Sequence, residues 1–310
     1  MHGLKPKEIL PNLFFIERGY LNANHFVFRG DSPVLIDTGY LAGFDETVFQ
    51  IERLGISPAD IGLIVNTHSH CDHIGGNRRL QDMSGCDVAI HRIGKGFMDL
   101  RDDWSTWWRY YDQEAEFFTA TIPLDDGDRI SIGPYEFEVI HTPGHASDGI
   151  VLYHRESRIL ISSDTLWEND MAVMTVRVEG SRAVWEMIAS LEKIHTLDVE
   201  AVYPGHGRPF TDFQAAVDRA RQHLRGFLNE PERIGNDLLK KIIIYTLMMR
   251  PKVLAERFFS NLMNTHWFKE TVDLYFDGRY EAKYEEILHQ LTKRILVKEK
   301  GGCLTTTVKP

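Results

Sequence analysis

The sequence predicts a layered α/β fold for this 310-residue chain. Short apolar runs of strand length alternate with longer stretches of helical periodicity, in two successive series. Four of the runs also stop on histidine or aspartate, where a strand end would deliver side chains into a loop.

In the first series, strand-like runs at 14–16, 25–28, 34–36, 61–65 and 88–90 are interleaved with helical stretches such as 44–54. The second has runs at 136–140, 150–153, 159–162 and 201–203, with a helical segment over 181–195 before the last. Two sheets packed face to face, with helices outside, accommodate this order. A hydrophobic content of 43% suffices for a domain of about 200 residues plus a smaller one. No apolar stretch approaches the roughly 20 residues that span a bilayer. The opening Met1-His2-Gly3-Leu4-Lys5-Pro6-Lys7-Glu8 lacks the apolar segment of an export signal, so a cytoplasmic protein is expected. Cys71, Cys86 and Cys303 are too few and too scattered for a disulfide framework.

The chemistry concentrates in His68-Ser69-His70-Cys71-Asp72-His73, directly after the run at 61–65. Three imidazoles and a carboxylate on so short a stretch can turn toward one point, and such donors hold zinc at roughly 2.0–2.2 Å. With 14 histidines in the chain, a solvated polar loop is the competing explanation. Three later segments weigh against it. His141-Thr142-Pro143-Gly144-His145 puts a histidine in a rigid turn after a strand-like run, the run at 159–162 leads to Asp164, and Pro204-Gly205-His206-Gly207 repeats the pattern after 201–203.

In the order and content of these motifs the chain resembles the metallo-β-lactamase fold superfamily over roughly residues 10–212. The resemblance implies an αββα sandwich. It also implies that His68, His70 and His145 bind one metal, that Asp72, His73 and His206 bind a second, and that Asp164 bridges both. Asp37 matches the family's early aspartate near the site, although a turn residue capping a strand would look the same. Ser163 departs from the family, which usually has glycine before the bridging aspartate, and only a local change in packing is expected there. Cys71 lies inside the motif but at no ligand position, so it is expected to pack away from the metals.

Two divalent ions would set four positive charges against the carboxylates of the site and stabilise a metal-bound hydroxide near neutral pH. The same ions would polarise the attacked carbonyl or phosphoryl oxygen, and Asp72 could accept a proton if only one metal were bound. Zinc is favoured. Iron and manganese suit the same donors, but the electron-transferring diiron branch of the family generally has glutamate where this chain has His70. The stretch after Asp164, Thr165-Leu166-Trp167-Glu168-Asn169-Asp170, lacks the glycine-cysteine-glycine signature that follows this aspartate in glyoxalase II and in persulfide dioxygenases, which disfavours glutathione thioesters.

Between the two series, an insertion at about 94–122 carries a dense run of aromatics. Trp104, Trp107, Trp108 and Tyr111 fall at helical spacing. They read either as a helix packing its aromatic face on the sandwich or on a second subunit, or as a lid offering flat walls to an acyl chain or ring. Trp167, three residues beyond Asp164, could line the pocket or pack in the core. The exposed-looking aromatics suggest a homodimer.

Residues 1–212 therefore read as the catalytic domain and 213–310 as a smaller, mostly helical one. Helical stretches at 213–229 and 238–249, a stripe through Tyr284, Ile287, Leu288, Leu291 and Ile295, and a hairpin-like tail turning at 298–302 make it similar to a winged-helix domain. Residues 213–310 hold 17 Lys and Arg against 12 Asp and Glu, net +5, while the remainder has 18 against 33, net −15. The basic residues are interleaved with acids, and a nucleic-acid groove would need a concentrated basic stripe. The reading is a dinuclear hydrolase acting on an ester, thioester or lactone of a small apolar or aromatic molecule. A metal-dependent nuclease whose C-terminal domain holds RNA or DNA is the alternative, and a binding protein without turnover is disfavoured by the filled ligand positions.

Overall fold

A computed structural model of the chain describes residues 5–309. Met1-His2-Gly3-Leu4, on which the export-signal reading partly rests, and Pro310 lie outside the described residues. The first sheet has seven strands in sequence order: β1 (Lys7–Leu10), β2 (Leu13–Ile16), β3 (His25–Phe28), β4 (Val34–Ile36), β5 (Leu63–Val65), β6 (Asp87–His91) and β7 (Ile122–Leu124). It is antiparallel through β4 and parallel from β4 onward. The second sheet is made by β8 (Arg129–Ile132), β9 (Tyr135–His141), β10 (Ile150–His154), β11 (Ile159–Ser163) and β12 (Ala201–Pro204), with only β11 and β12 parallel.

The period-two alternation of side chains decides which layer each residue joins. Phe15, Val34, Ile36, Val65 and Ala89 meet Phe137, Val139, Leu152 and Ile161 between the two sheets. Their neighbours Phe14, Leu35, Ile64, Val88 and Ile90 point outward beneath the helices Phe44–Glu52, Asn77–Ser84 and Arg92–Leu100. On the far side, Val151, Tyr153 and Leu160 pack under Ala183–His195 and Phe213–Asn229. The result is the expected αββα sandwich. Each fully buried large apolar side chain contributes about 1.5–3 kcal/mol to it.

The helix Phe213–Asn229 lies against Ala183–His195 through Val217, Ala220 and Leu224, so by packing it belongs to the sandwich and the chain changes layers at the break before Glu232. Beyond that break come the helices Glu232–Met249, Ala255–Leu262, His266–Phe276 and Tyr280–Lys293. A small antiparallel sheet of β13 (Val253–Leu254), β14 (Val297–Lys300) and β15 (Cys303–Thr306) joins them, in the order β13-β15-β14. The C-terminal hairpin forms where the Gly301-Gly302 pair places it, both glycines taking positive φ. No helix among the described residues is long and apolar enough to cross a membrane.

The aromatic insertion corrects one expectation. Its regular helix ends at Leu100, and the segment that follows is a series of turns, not a helix presenting an aromatic face. The Asp102 carboxylate accepts the N–H groups of Trp104 and Ser105, and Arg101, Trp107 and Asp112 adopt left-handed φ of 53°, 70° and 54°, each of which breaks helical continuation. The aromatics are also turned inward. Trp107, Tyr110 and Tyr111 enter the C-terminal core and Trp108 the sandwich core, which removes the exposed aromatic surface on which the homodimer expectation rested.

Candidate metal centre

One edge of the sandwich gathers the functional side chains at strand ends. Asp37 follows β4, the 66–73 loop follows β5, the 141–149 loop joins β9 to β10, and Asp164 and His206 follow β11 and β12. A single helical turn, Cys71–Ile74, carries Asp72 and His73 back over the sheet. Two glycines make the approach feasible. A Cβ on Gly205 would lie 2.2 Å from an Asp164 carboxylate oxygen. Gly144 has φ +142°, and a Cβ there would meet the Met187 backbone at 2.6 Å.

The structure brings the seven motif residues together, all of them buried. His68, His70 and His145 form one group whose donor atoms lie within 4.8 Å of one another; Asp72, His73 and His206 form another, and His68, His73 and Asp164 a third. His70 Nδ1 and His145 Nε2 are 3.0 Å apart, and His206 Nε2 is 3.1 Å from Asp72 Oδ2. Asp164 Oδ2 stands between the groups, 3.3 Å from His145 Nε2, 3.6 Å from His73 Nε2 and 3.8 Å from His206 Nε2.

The orientation of the rings fits a divalent ion. His145 Nδ1–H donates to the Val173 carbonyl at 2.8 Å and His206 Nδ1–H to that of Gly19 at 3.1 Å, so each Nε2 lone pair faces the cluster. His73 Nδ1 is 2.8 Å from Asp37, while His73 Nε2 and His68 Nε2 are buried with no hydrogen-bond partner. Buried nitrogens left unpaired in this way cost about 1–3 kcal/mol each unless something occupies the space between them.

Charge is arranged to match. Burial, reinforced by neighbouring imidazoles, drives His68 and His70 well below the usual histidine range and keeps them neutral. Burial alone would raise Asp164, but His206 and His73 outweigh it and hold the carboxyl well below its ordinary range; Asp72 is lowered by His73 and His206 in the same way. Neutral imidazole and ionised carboxylate are the forms that bind metal. Burial would lower His73 and His206, but Asp164 and Asp72, joined at His73 by Asp37, outweigh it and hold both imidazoles above their ordinary range, so these two would give up their protons to an ion.

Asp37 stands behind the cluster. Its carboxylate accepts the Thr67 N–H at 2.9 Å, the Thr67 hydroxyl at 2.8 Å and His73 Nδ1, at φ 58°. Ser163 does more than adjust packing. It has φ 46°, a conformation glycine adopts freely, and its hydroxyl lies 2.7 Å from Thr67 Oγ1. Thr67, which sequence reasoning passed over, thus ties Asp37, His68, His73 and Ser163 into one network. Its only sequence signal is adjacency to the histidine motif. Cys71 packs in the sandwich core, its thiol donating to Gln113.

Of the five aromatics assigned to the pocket, Trp107 and Trp167 line it. The Trp107 ring lies on His70 with centroids 3.7 Å apart, and its indole N–H donates to Glu179 at 2.6 Å. Trp167 donates to Asp164 at 3.2 Å. Trp104, Trp108 and Tyr111 do not reach the pocket: Trp108 donates to the Ser69 carbonyl from within the sandwich core, Tyr111 bonds Thr175, and Trp104 packs against Tyr110 and His266. Their shared spacing reflects burial against two cores rather than one face. Glu179 had no sequence signal. It also accepts the Ser147 N–H, and burial pushes its carboxyl up to about 8.

Comparison with known proteins agrees with this geometry. The family model for the metallo-beta-lactamase superfamily matches residues 19–206. The chain belongs to that superfamily and is a metal-dependent hydrolase, with a centre suited to divalent ions. It is similar to the probable metallo-hydrolase YqjP of Bacillus subtilis, 23% identical over 77% of this chain and 84% of that protein. It is similar also to the human acyl-coenzyme A thioesterase MBLAC2, 26% identical over 66% of this chain and 81% of that protein. A hydroxyacylglutathione hydrolase of Rhodospirillum rubrum is 30% identical over 52% of this chain and 55% of that protein. Among solved structures, the metallo-beta-lactamase family protein TTHA1429 of Thermus thermophilus shares the fold at TM-score 0.63 and 19% identity, covering 96% of this chain and 100% of its own.

Proposed function

We propose that the seven side chains hold two divalent ions, zinc foremost, and that the chain hydrolyses an ester or thioester with an apolar acyl group. One observation carries the reading. A cavity of about 380 Å³ has His70, Asp72, His145, Asp164 and His206 at its base and mostly apolar side chains above them, among them Trp107, Ile242 and Met248. Pockets of this size and character suit small molecules.

Held by these residues, divalent ions would supply a water of pKa lowered toward 7 and a Lewis acid for a carbonyl oxygen. The chain's own residues do the rest. Asp37, Thr67 and the carbonyls of Gly19 and Val173 fix the ring orientations, Trp107 covers His70, and Asp72 would be free to take a proton only with its own ion absent. In the overall reaction water adds to the acyl carbon, the C–O or C–S bond breaks, and the alcohol or thiol leaves with a proton from that water. The relative named as an acyl-coenzyme A thioesterase supports a thioester. The stretch from Thr165 to Asp170 lacks the glycine-cysteine-glycine signature that follows this aspartate in glyoxalase II, which speaks against a glutathione thioester despite the hydroxyacylglutathione hydrolase relative.

The test is a panel of p-nitrophenyl esters, acyl thioesters, lactones and bis-p-nitrophenyl phosphate, each with and without a chelator. Chelator-sensitive cleavage of esters or thioesters is expected, with activity restored by zinc. Cleavage of the phosphodiester alone would favour the nuclease alternative.

A further inference from the structure

The helix Glu232–Met249 has more apolar surface than its own domain needs. Leu239, Ile243 and Leu247 are buried in the C-terminal core, and a helix with only that task would turn polar residues to its other side. Instead Lys241, Ile244, Tyr245 and Met248, spaced at i, i+3, i+4 and i+7, line the cavity over the metal centre with Ile242 beside them, Met248 entering the sandwich core and Ile244 and Tyr245 packing against it. Leu296 and Val308, from the two sides of the terminal hairpin, complete this wall.

The wall presents no free charge. The Lys241 ammonium is spent on the Met171 carbonyl at 2.6 Å, Asp170 at 3.0 Å and Asp237 at 2.9 Å. The Tyr245 hydroxyl donates to the Leu21 carbonyl at 3.2 Å. Trp107, Ala172 and Val173 line the same cavity, so an occupant meets mostly apolar side chains while its reacting end rests at Asp72, His145, Asp164 and His206. A nucleotide or other polyanion would find its phosphates opposite this apolar wall and beside Asp170. An unbranched or aromatic acyl chain would find a match in chemistry and in volume.

We infer that the C-terminal helix and hairpin are the acyl-selecting element of the enzyme. Ile242, Tyr245, Met248, Leu296 and Val308 set how long an acyl group is accepted. The inference rests on the hydrolytic reading above, but its binding arm stands apart from turnover.

The test uses the zinc-loaded 310-residue chain and two variants of opposite effect, Val308→Trp to shorten the pocket and Met248→Ala to lengthen it. Their kcat/KM ratios for p-nitrophenyl octanoate over acetate and dodecanoate over octanoate are compared with those of the unaltered chain, and binding of octanoate and of acetate is measured by calorimetry on the same samples. Excluding about two methylenes from burial is worth roughly tenfold. Val308→Trp is expected to lower the octanoate-to-acetate ratio, and octanoate affinity, by about that factor, and Met248→Ala is expected to shift preference toward dodecanoate. Octanoate binding that weakens in Val308→Trp, with no ester or thioester turned over by any form, would sink the hydrolytic reading and leave the acyl wall standing. Octanoate binding no tighter than acetate, or ratios unchanged in both variants with circular dichroism and metal content intact, would overturn the inference.

Discussion

Replacing Asp164 with asparagine is expected to cost about 10²–10³-fold in kcat, the scale of losing one preorganised electrostatic group in an active site. One carboxylate oxygen of Asp164 lies within 3.8 Å of ring nitrogens from His145, His73 and His206, residues assigned to two different ions. Asparagine keeps the volume beside Gly205 and the acceptor for the Trp167 indole, so the fold is retained. What it removes is negative charge, so that Asp72 would be the one ligand carboxylate set against the four positive charges of the two proposed ions. The variant is therefore also expected to lose at least one metal equivalent, read by elemental analysis after gel filtration. A variant that keeps full metal content and full turnover would show that Asp164 does not bridge.

The second large effect is expected behind the site. Asp37→Ala would leave the Thr67 N–H buried without an acceptor, at about 1–3 kcal/mol, and His73 Nδ1 with only the longer contact to the Thr67 hydroxyl at 3.3 Å. Alanine at φ 58° adds strain that aspartate and asparagine tolerate better. His73 would also lose the contact that fixes its ring, and losses of this kind typically lower metal affinity about 10–100-fold. Competition with a chromophoric chelator measures the affinity, and a melting curve separates it from instability. Asp37→Asn, which keeps an acceptor and suits the left-handed conformation, is expected to retain more of both. Equal metal affinity in all three forms would reduce Asp37 to a turn residue, the other reading its sequence context allows.

The central strands were legible because burial on both faces leaves near-continuous apolar runs, as in Val34–Ile36 and Ile150–His154. The two edge strands of the first sheet were not. Lys7–Leu10 is half polar, and Ile122–Leu124 holds a proline that only an edge strand accepts. The ligands could be read from sequence because strand ends put them in short motifs, whereas their supports are scattered. Asp37 lies 30 residues from Thr67, and Glu179 lies 72 from Trp107. The aromatic insertion misled because periodicity reports burial without saying against what. Two cores approached from a chain of turns imitate one helical face. The wall of the pocket left a subtler trace, the run from Ile242 to Met249 in which only Thr246 interrupts the apolar side chains, so the helix has no polar side to give to water.

The most direct measurement is anomalous diffraction at the zinc edge from crystals of the zinc-loaded chain. Two peaks are expected, one among His68, His70 and His145 and one among Asp72, His73 and His206, with Asp164 between them. Absence of metal from this cluster, or a single ion held by other residues, would contradict the assignment.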